Sequence, residues 1–262
     1  MPTTRGFHSA SVVNGKIYVI GGGAKNLVLL PTVEEYNLAT DTWTKKADMP
    51  TARGFHSTSV VNGKIYAIGG KKGPVDFVSL VEEYNPVTDT WTKKADMPTA
   101  REGLSTITIN EKIYAIGGGG TGPKGKFFDI LSVVEEYNPA TDTWTKKADM
   151  PTARIGLSVT AVNGKIYAIG GGDTKTNKVL PTVEVYDTET DTWIKKEDMP
   201  LARTYVSTAA VNGRIYVIGG AKQFLFWGMQ AVPLIPNVDV YDTGLRPAQN
   251  QLESNLLKNT RR

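Results

Sequence analysis

Cysteine is absent from the 262 residues and histidine occurs only twice. The first absence excludes a disulfide framework and any thiolate metal site, and leaves the redox compartment open. His8 and His56 alone are too few ligands for a structural zinc site. Each is followed directly by a serine (Ser9, Ser57), and neighbouring side chains on a strand point to opposite faces, so no Ser-His relay is expected. Long apolar runs are also missing. The longest uncharged stretch, 223–238, has 16 residues and contains Pro233 and Pro236, short of the ~18–20 that a membrane span requires. Met1 to Asn14 lacks the basic start and apolar run of a secretory signal. The expectation is a soluble chain, cytoplasmic if complete as given, with no cofactor and a monomeric state. A net charge of +4 is too mild an excess to point to nucleic acid.

What is present is a repeat. One unit recurs five times: Arg, six or seven residues, Val-Asn-Gly-Lys-Ile-Tyr-x-Ile-Gly-Gly, then Val-Glu-Glu-Tyr-Asn-x-x-Thr-Asp-Thr-Trp-Thr-Lys-Lys-Ala-Asp-Met-Pro. The leading arginines, Arg5, Arg53, Arg101, Arg154 and Arg203, are spaced 48, 48, 53 and 49 apart. Residues 5–22 and 53–70 differ only at Ala10/Thr58 and Val19/Ala67, as recent duplication or deliberate construction would leave them.

Each unit reads as four strands, A to D. Strand A runs from Arg5 to Val13, and Asn14-Gly15 forms a two-residue turn that needs positive φ at both positions. Strand B, Lys16 to Ile20, is apolar on both faces and ends at Gly21-Gly22, where the backbone bends or is closely approached. Strands C and D are Thr32 to Tyr36 and Thr42 to Lys46. Placing Tyr36 opposite Trp43 sets Glu35 against Thr44 and Glu34 against Lys45. In the fourth unit the Glu35 and Thr44 positions become Val185 and Ile194 together, as cross-strand neighbours should. Small four-stranded sheets that need cover on both faces are propeller blades.

The double glycine after Ile-Tyr-x-Ile, the tyrosine of Val-Glu-x-Tyr and the following tryptophan resemble the kelch repeat, over residues 1 to about 243. The resemblance implies an all-β propeller with strand A innermost. Five kelch-type blades are expected, at about 1–48, 49–96, 97–149, 150–198 and 199–243. The fifth is irregular, since no Trp strand follows Val238 to Asp242. A six-bladed parent is the alternative if the chain is a fragment. The tail, 244–262, is expected as an atypical closing strand or a short helix, with Pro247 suited to a first helical position.

All length variation falls between strands B and C, whose loops hold 10, 10, 15, 11 and 17 residues. Antiparallel order puts these loops and the starts of strand A at one end of a ring of five blades. Variable loops on a rigid scaffold are the default place for recognition. They carry Phe77, Phe127, Phe128, Phe224, Phe226, Trp227 and Met229, side chains that protein interfaces favour. The expected function is therefore a non-catalytic binding scaffold for protein or peptide partners. Phe226 and Trp227 would be its anchors, and Arg5, Arg53, Arg101, Arg154 and Arg203 its electrostatic selectors. A local role for each Arg competes: pairing with the Asp of the preceding Ala-Asp-Met-Pro, or with the backbone of the next blade.

Other chemistry fares worse. Gly120 to Lys126 nearly fits a phosphate loop, but Phe127 stands where Ser or Thr belongs and a strand follows instead of a helix. Copper chemistry of the galactose-oxidase kind uses a cysteine-crosslinked tyrosine, which this chain cannot make. The surviving enzymatic alternative is a carbohydrate-directed enzyme or lectin, like the sialic-acid mutarotases among kelch propellers. It would use Asp76, Glu102, Asp129 and Asp173 on the loop-bearing end.

Overall fold

The structure, a computed structural model, describes residues 1–121, 128–224 and 234–243. The first blade is Ser9–Val13, Lys16–Ile20, Val33–Asn37 and Thr42–Lys46, in the order A-B-C-D and antiparallel throughout. The second, third and fourth blades repeat it, with inner strands Ser57–Val61, Ser105–Ile109 and Ser158–Val162. The fifth has three described strands, Ser207–Val211, Arg214–Ile218 and Val238–Asp242. The expected closing element, 244–262, lies outside the described residues. Among those that are described, no helix is long and apolar enough to cross a membrane.

Local sequence sets the turns. Asn14 and Gly15 take φ of 49° and 72°, the left-handed pair that a two-residue hairpin requires. In the third blade Glu111 fills the glycine place at φ 61°, where a Cβ costs about 1–2 kcal/mol. The C–D loop closes on itself: Asn37 Oδ1 accepts the Ala39 N–H (2.9 Å) and Asp41 accepts the Tyr36 hydroxyl (2.5 Å).

The register pairs Tyr36 with Trp43, Glu35 with Thr44, Glu34 with Lys45, and Val185 with Ile194. Facing did not make the ion pairs, however. Lys45 turns to Asp48 (3.3 Å). Glu35 takes Lys16 Nζ (2.7 Å) and the Tyr18 hydroxyl (2.6 Å) from strand B. Glu34 goes to Arg5.

Blades are joined by a seam that recurs with little change. Val13, Tyr18, Ile20, Val33 and Met49 of the first blade bury against Ile65, Ala67 and Tyr84 of the second. At the outer edge the Ala47 N–H donates to Asp89 Oδ1 (2.9 Å), and the Trp91 indole N–H donates to the Ala47 carbonyl (3.0 Å). Further in, the Gly22 N–H donates to the Arg53 carbonyl (2.9 Å). Nearest the axis the Phe55 N–H donates to the Phe7 carbonyl (2.9 Å). The axial bonds continue from Gly103 to Phe55, Gly156 to Gly103 and Tyr205 to Gly156. No bond from Phe7 back to Tyr205 is made among the described residues. Among the described residues the axial ladder thus joins the five blades in succession and stays open between the fifth and the first. The angle between blades is fixed by the side chains packed in each seam, and a count of units carries no information about it.

Candidate interaction site at the loop-bearing end

The residue two places after each leading arginine has left-handed backbone: Phe7 (φ 56°), Phe55 (57°), Gly103 (60°), Gly156 (67°) and Tyr205 (53°). Glycine adopts this conformation freely, and bulky residues hold it only against a cost of about 1–3 kcal/mol. Three of the five units nevertheless place an aromatic there. That contrast is visible in the aligned repeats and is the signal sequence reasoning passed over. These positions surround a cavity of about 140 Å³ at the mouth of the axis.

The B–C loops are drawn to the same end. Lys71, directly after the second double glycine, bridges both Gly54 and Phe77, and Gly23 bridges Gly6 and Leu29 in the same way. In the third unit the arrangement widens to a small sheet of Arg101–Glu102, Gly119–Gly120 and Asp129–Ile130. Phe55 lies between two concavities, since it also lines a groove of about 440 Å³ with Leu29, Lys71, Lys72 and Pro74. Its ring stacks on Phe7 at a centroid distance of 4.1 Å, and Lys71 Nζ stands 4.4 Å from its centre. Lys71 is also 2.9 Å from Glu102. Burial raises the Glu102 carboxyl above its ordinary pKa, against the pull of Lys71. Burial, with the Glu102 charge second, pushes Tyr205 up to about 12.

Phe77 and Phe128 are half-buried and meet at 5.5 Å, so two loops share an aromatic contact. Phe224 is a correction: it is 1% exposed and packs edge-on against Tyr205, 5.9 Å between centroids. It is buried against Tyr205 and presents no surface to a partner. Phe127, Phe226, Trp227 and Met229 lie outside the described residues.

The five arginines are the larger correction. Arg53, Arg101, Arg154 and Arg203 are 0% exposed, and Arg5 is also buried. Each guanidinium meets the acidic residue of strand C in its own blade. The pairs are Arg5–Glu34 (2.8 Å), Arg53–Glu82 (3.0 Å), Arg101–Glu135 (2.5 Å), Arg154–Glu184 (2.8 Å) and Arg203–Asp239. Other terminal N–H groups go to carbonyls of the same blade, as from Arg101 to Ala115 (3.0 Å), while each Nε is buried with no hydrogen-bond partner among the described residues. The partner is thus neither the Asp of Ala-Asp-Met-Pro nor the next blade, and every guanidinium is buried away from the surface.

The loop carboxylates do not converge. Glu102 is held by Lys71, Asp129 by Lys175 and Asp76 by Lys72 (3.5 Å). Asp173 accepts the Lys175 N–H (2.8 Å) and the Thr176 hydroxyl (3.1 Å) within its own loop.

His56 lies under the axial mouth, 5% exposed, and neither ring nitrogen completes a hydrogen bond among the described residues. Burial drives its pKa down to about 3, with the Arg53 charge adding to the shift. A depressed imidazole is neutral when folded and takes a proton on unfolding once the pH falls below about 6.5. Stability is therefore lost as pH falls through the window from about 6.5 towards 3, by up to about 1.4 kcal/mol per pH unit. The third and fourth units carry Leu104 and Leu157 at this position. His56→Leu is expected to flatten that slope, as urea midpoints of both proteins between pH 7 and 4.5 would show. Parallel slopes would mean the imidazole is solvated.

Comparison with known proteins places this geometry in context. A profile of the KLHDC2/KLHL20/DRC7 Kelch-repeats domain matches residues 1–118 and 48–220. The Kelch-like protein terF of Aspergillus terreus is 45% identical over 47 residues, 18% of this chain and 10% of that protein. Kelch-like ECH-associated protein 1B of Danio rerio is 38% identical over 47 residues, 18% of this chain and 8% of its own length. Beta-scruin of Limulus polyphemus is 40% identical over 57 residues, 22% of this chain and 6% of that one. The matched stretches are thus a tenth or less of these relatives. The solved structure of YjhT superposes with a TM-score of 0.72 at 20% identity, covering 90% of this chain and 84% of YjhT.

Proposed function

The chain belongs to the kelch-repeat family, and from that premise we propose that it is a non-catalytic scaffold that binds protein or peptide segments at its loop-bearing end. One observation carries the proposal. Phe55 is held in costly left-handed backbone, stacked on Phe7, at the place where the axial mouth and the lateral groove meet. Strain of this kind persists only where surrounding structure enforces it, and it gathers at binding sites. Large aromatics offer contact area at low entropic cost, and they are the side chains on which interface energy concentrates. Lys72 lines the rim of the groove, half-exposed and paired with Asp76 at 3.5 Å.

Glycine is what the third and fourth units use at the Phe55 position. Phe55→Gly removes a stacking partner and relieves backbone strain, so stability is expected to move by no more than about 1 kcal/mol. Peptides selected from a display library on the native protein are expected to lose at least about tenfold in affinity on this variant, a loss of about 1.4 kcal/mol. Unchanged affinities would remove Phe55 from the site. Saccharide binding on a glycan array, abolished by Glu102→Gln, would replace the scaffold with the carbohydrate-directed alternative.

A further inference from the structure

The fifth and first blades present the two halves of a blade seam, and neither half is filled among the described residues. In the fourth blade Val162, Ile169 and Val183 are 6%, 0% and 0% exposed beneath the fifth. Their counterparts on the fifth blade, Val211, Ile218 and Val238, are 51%, 44% and 54% exposed. The opposite face of the first blade is bare in the complementary way. Ile65 and Tyr84 of the second blade are fully buried against the first, whereas the equivalent Ile17 and Tyr36 are half-exposed and Val12 is 61% exposed.

The polar groups of the seam agree, independently of the apolar ones. Gly22, Gly70, Gly118 and Gly171 each donate to the carbonyl of the next leading arginine. Gly220, at the same position on the fifth blade, has no acceptor among the described residues. A Cβ on Gly21, Gly69, Gly117 or Gly170 would meet that arginine carbonyl within 2.8 Å, while one on Gly219 would find nothing nearer than 3.7 Å. The axial ladder stops at the Tyr205 carbonyl and begins again at the Phe7 N–H. At the outer edge Trp91, Trp144 and Trp193 each donate to an alanine carbonyl of the preceding blade, and the Trp43 indole N–H has no such acceptor among the described residues.

We propose that the wedge between the fifth and first blades is a docking site for one further blade of this same repeat, carried by polypeptide outside residues 1–262. The occupant is specified by what is missing. Its leading arginine supplies a carbonyl to Gly220. Its axial residue gives an N–H to Tyr205 and a carbonyl to Phe7, and the alanine after its strand D accepts the Trp43 indole. One apolar face covers Val211, Ile218 and Val238, and the other covers Ile17 and Tyr36. The arginine-carbonyl and axial contacts are those of the four seams already present and the indole contact that of the first three, so the site continues an established interface.

Repeating residues 53–100 once in place gives a six-unit chain whose end faces are unaltered. Hydrogen exchange at the Phe7 and Gly220 amides reads the wedge directly, with Phe55 and Gly70 as protected references. In the native chain the two wedge amides are expected to exchange freely. In the six-unit chain they are expected to slow by at least ~10²-fold, with blue-shifted Trp43 emission and a monomeric sedimentation coefficient. A separate polypeptide of residues 49–100, added to the native chain, is expected to give the same protection in a 1:1 complex. Three results would overturn the proposal. Wedge amides already protected in a native monomer would mean that five blades close on themselves. The same protection in a native dimer would make a second copy the occupant. Free exchange in a folded six-unit chain, or no protection by the added blade where that chain does not fold, would mean that the wedge does not take a blade.

Discussion

Replacing Arg101 by methionine is expected to cost about 3–5 kcal/mol, because it strands a buried carboxylate. Glu135 is 3% exposed and receives the Arg101 guanidinium at 2.5 Å and the Thr99 hydroxyl at 2.8 Å. Burial alone lowers the arginine pKa, and the Glu135 charge opposes that shift, so each ion is tolerated because the other is present. Guanidinium-chloride unfolding measures the loss. Adding Glu135→Gln on the same background is expected to restore part of it, since the leftover group is then neutral. An exposed pair provides the contrast. Lys93 sits 3.5 Å from Asp96 with both side chains well exposed, and Lys93→Ala is expected to change stability by less than about 0.5 kcal/mol. Equal losses at the two sites would refute the buried-pair account.

The double glycine should be at least as intolerant. Gly70 holds φ 96°, and a Cβ there would sit 2.6 Å from the Gly54 carbonyl oxygen and 2.9 Å from His56 Cβ. Neither atom is the free end of a side chain, so the backbone of one blade edge must shift. The bond from the Gly70 N–H to the Arg101 carbonyl would shift with it. Gly70→Ala is expected to cost about 4 kcal/mol or more. Gly63 separates the two causes, because it has φ 73° and a Cβ added there would meet nothing within 4 Å. Gly63→Ala carries the backbone cost alone, about 1–2 kcal/mol. Thermal unfolding of the two variants side by side is the measurement, and similar shifts would mean that the close approach at Gly70 costs nothing.

Much of the fold is legible because the repeat states it five times. Asn-Gly locates the hairpins, and the paired change to Val185 and Ile194 locates the C–D register. The arginines mislead for a geometric reason. Register identifies residues that face one another, which matches Glu34 to Lys45, whereas the long Arg5 side chain reaches the carboxylate from the entry to strand A. Phe224 misleads because a loop aromatic can pack inward as readily as outward, and only its contact with Tyr205 decides between them. The candidate site itself is half legible. Loop length and composition point to Phe77 and Phe128, and the glycines aligned with Phe7 and Phe55 mark the left-handed backbone, but nothing in the sequence shows that the two rings stack.

The outer clasp, in which Asp89 and Trp91 grip Ala47 of the blade before, recurs at the third and fourth blades and ties each of these units to its predecessor and to nothing more distant. A copying slip that inserts or drops one whole period in frame therefore leaves each surviving clasp with a proper mate, whereas a slip of half a period severs two. Lineages of such genes should change their number of blades more readily than the wording of any one blade.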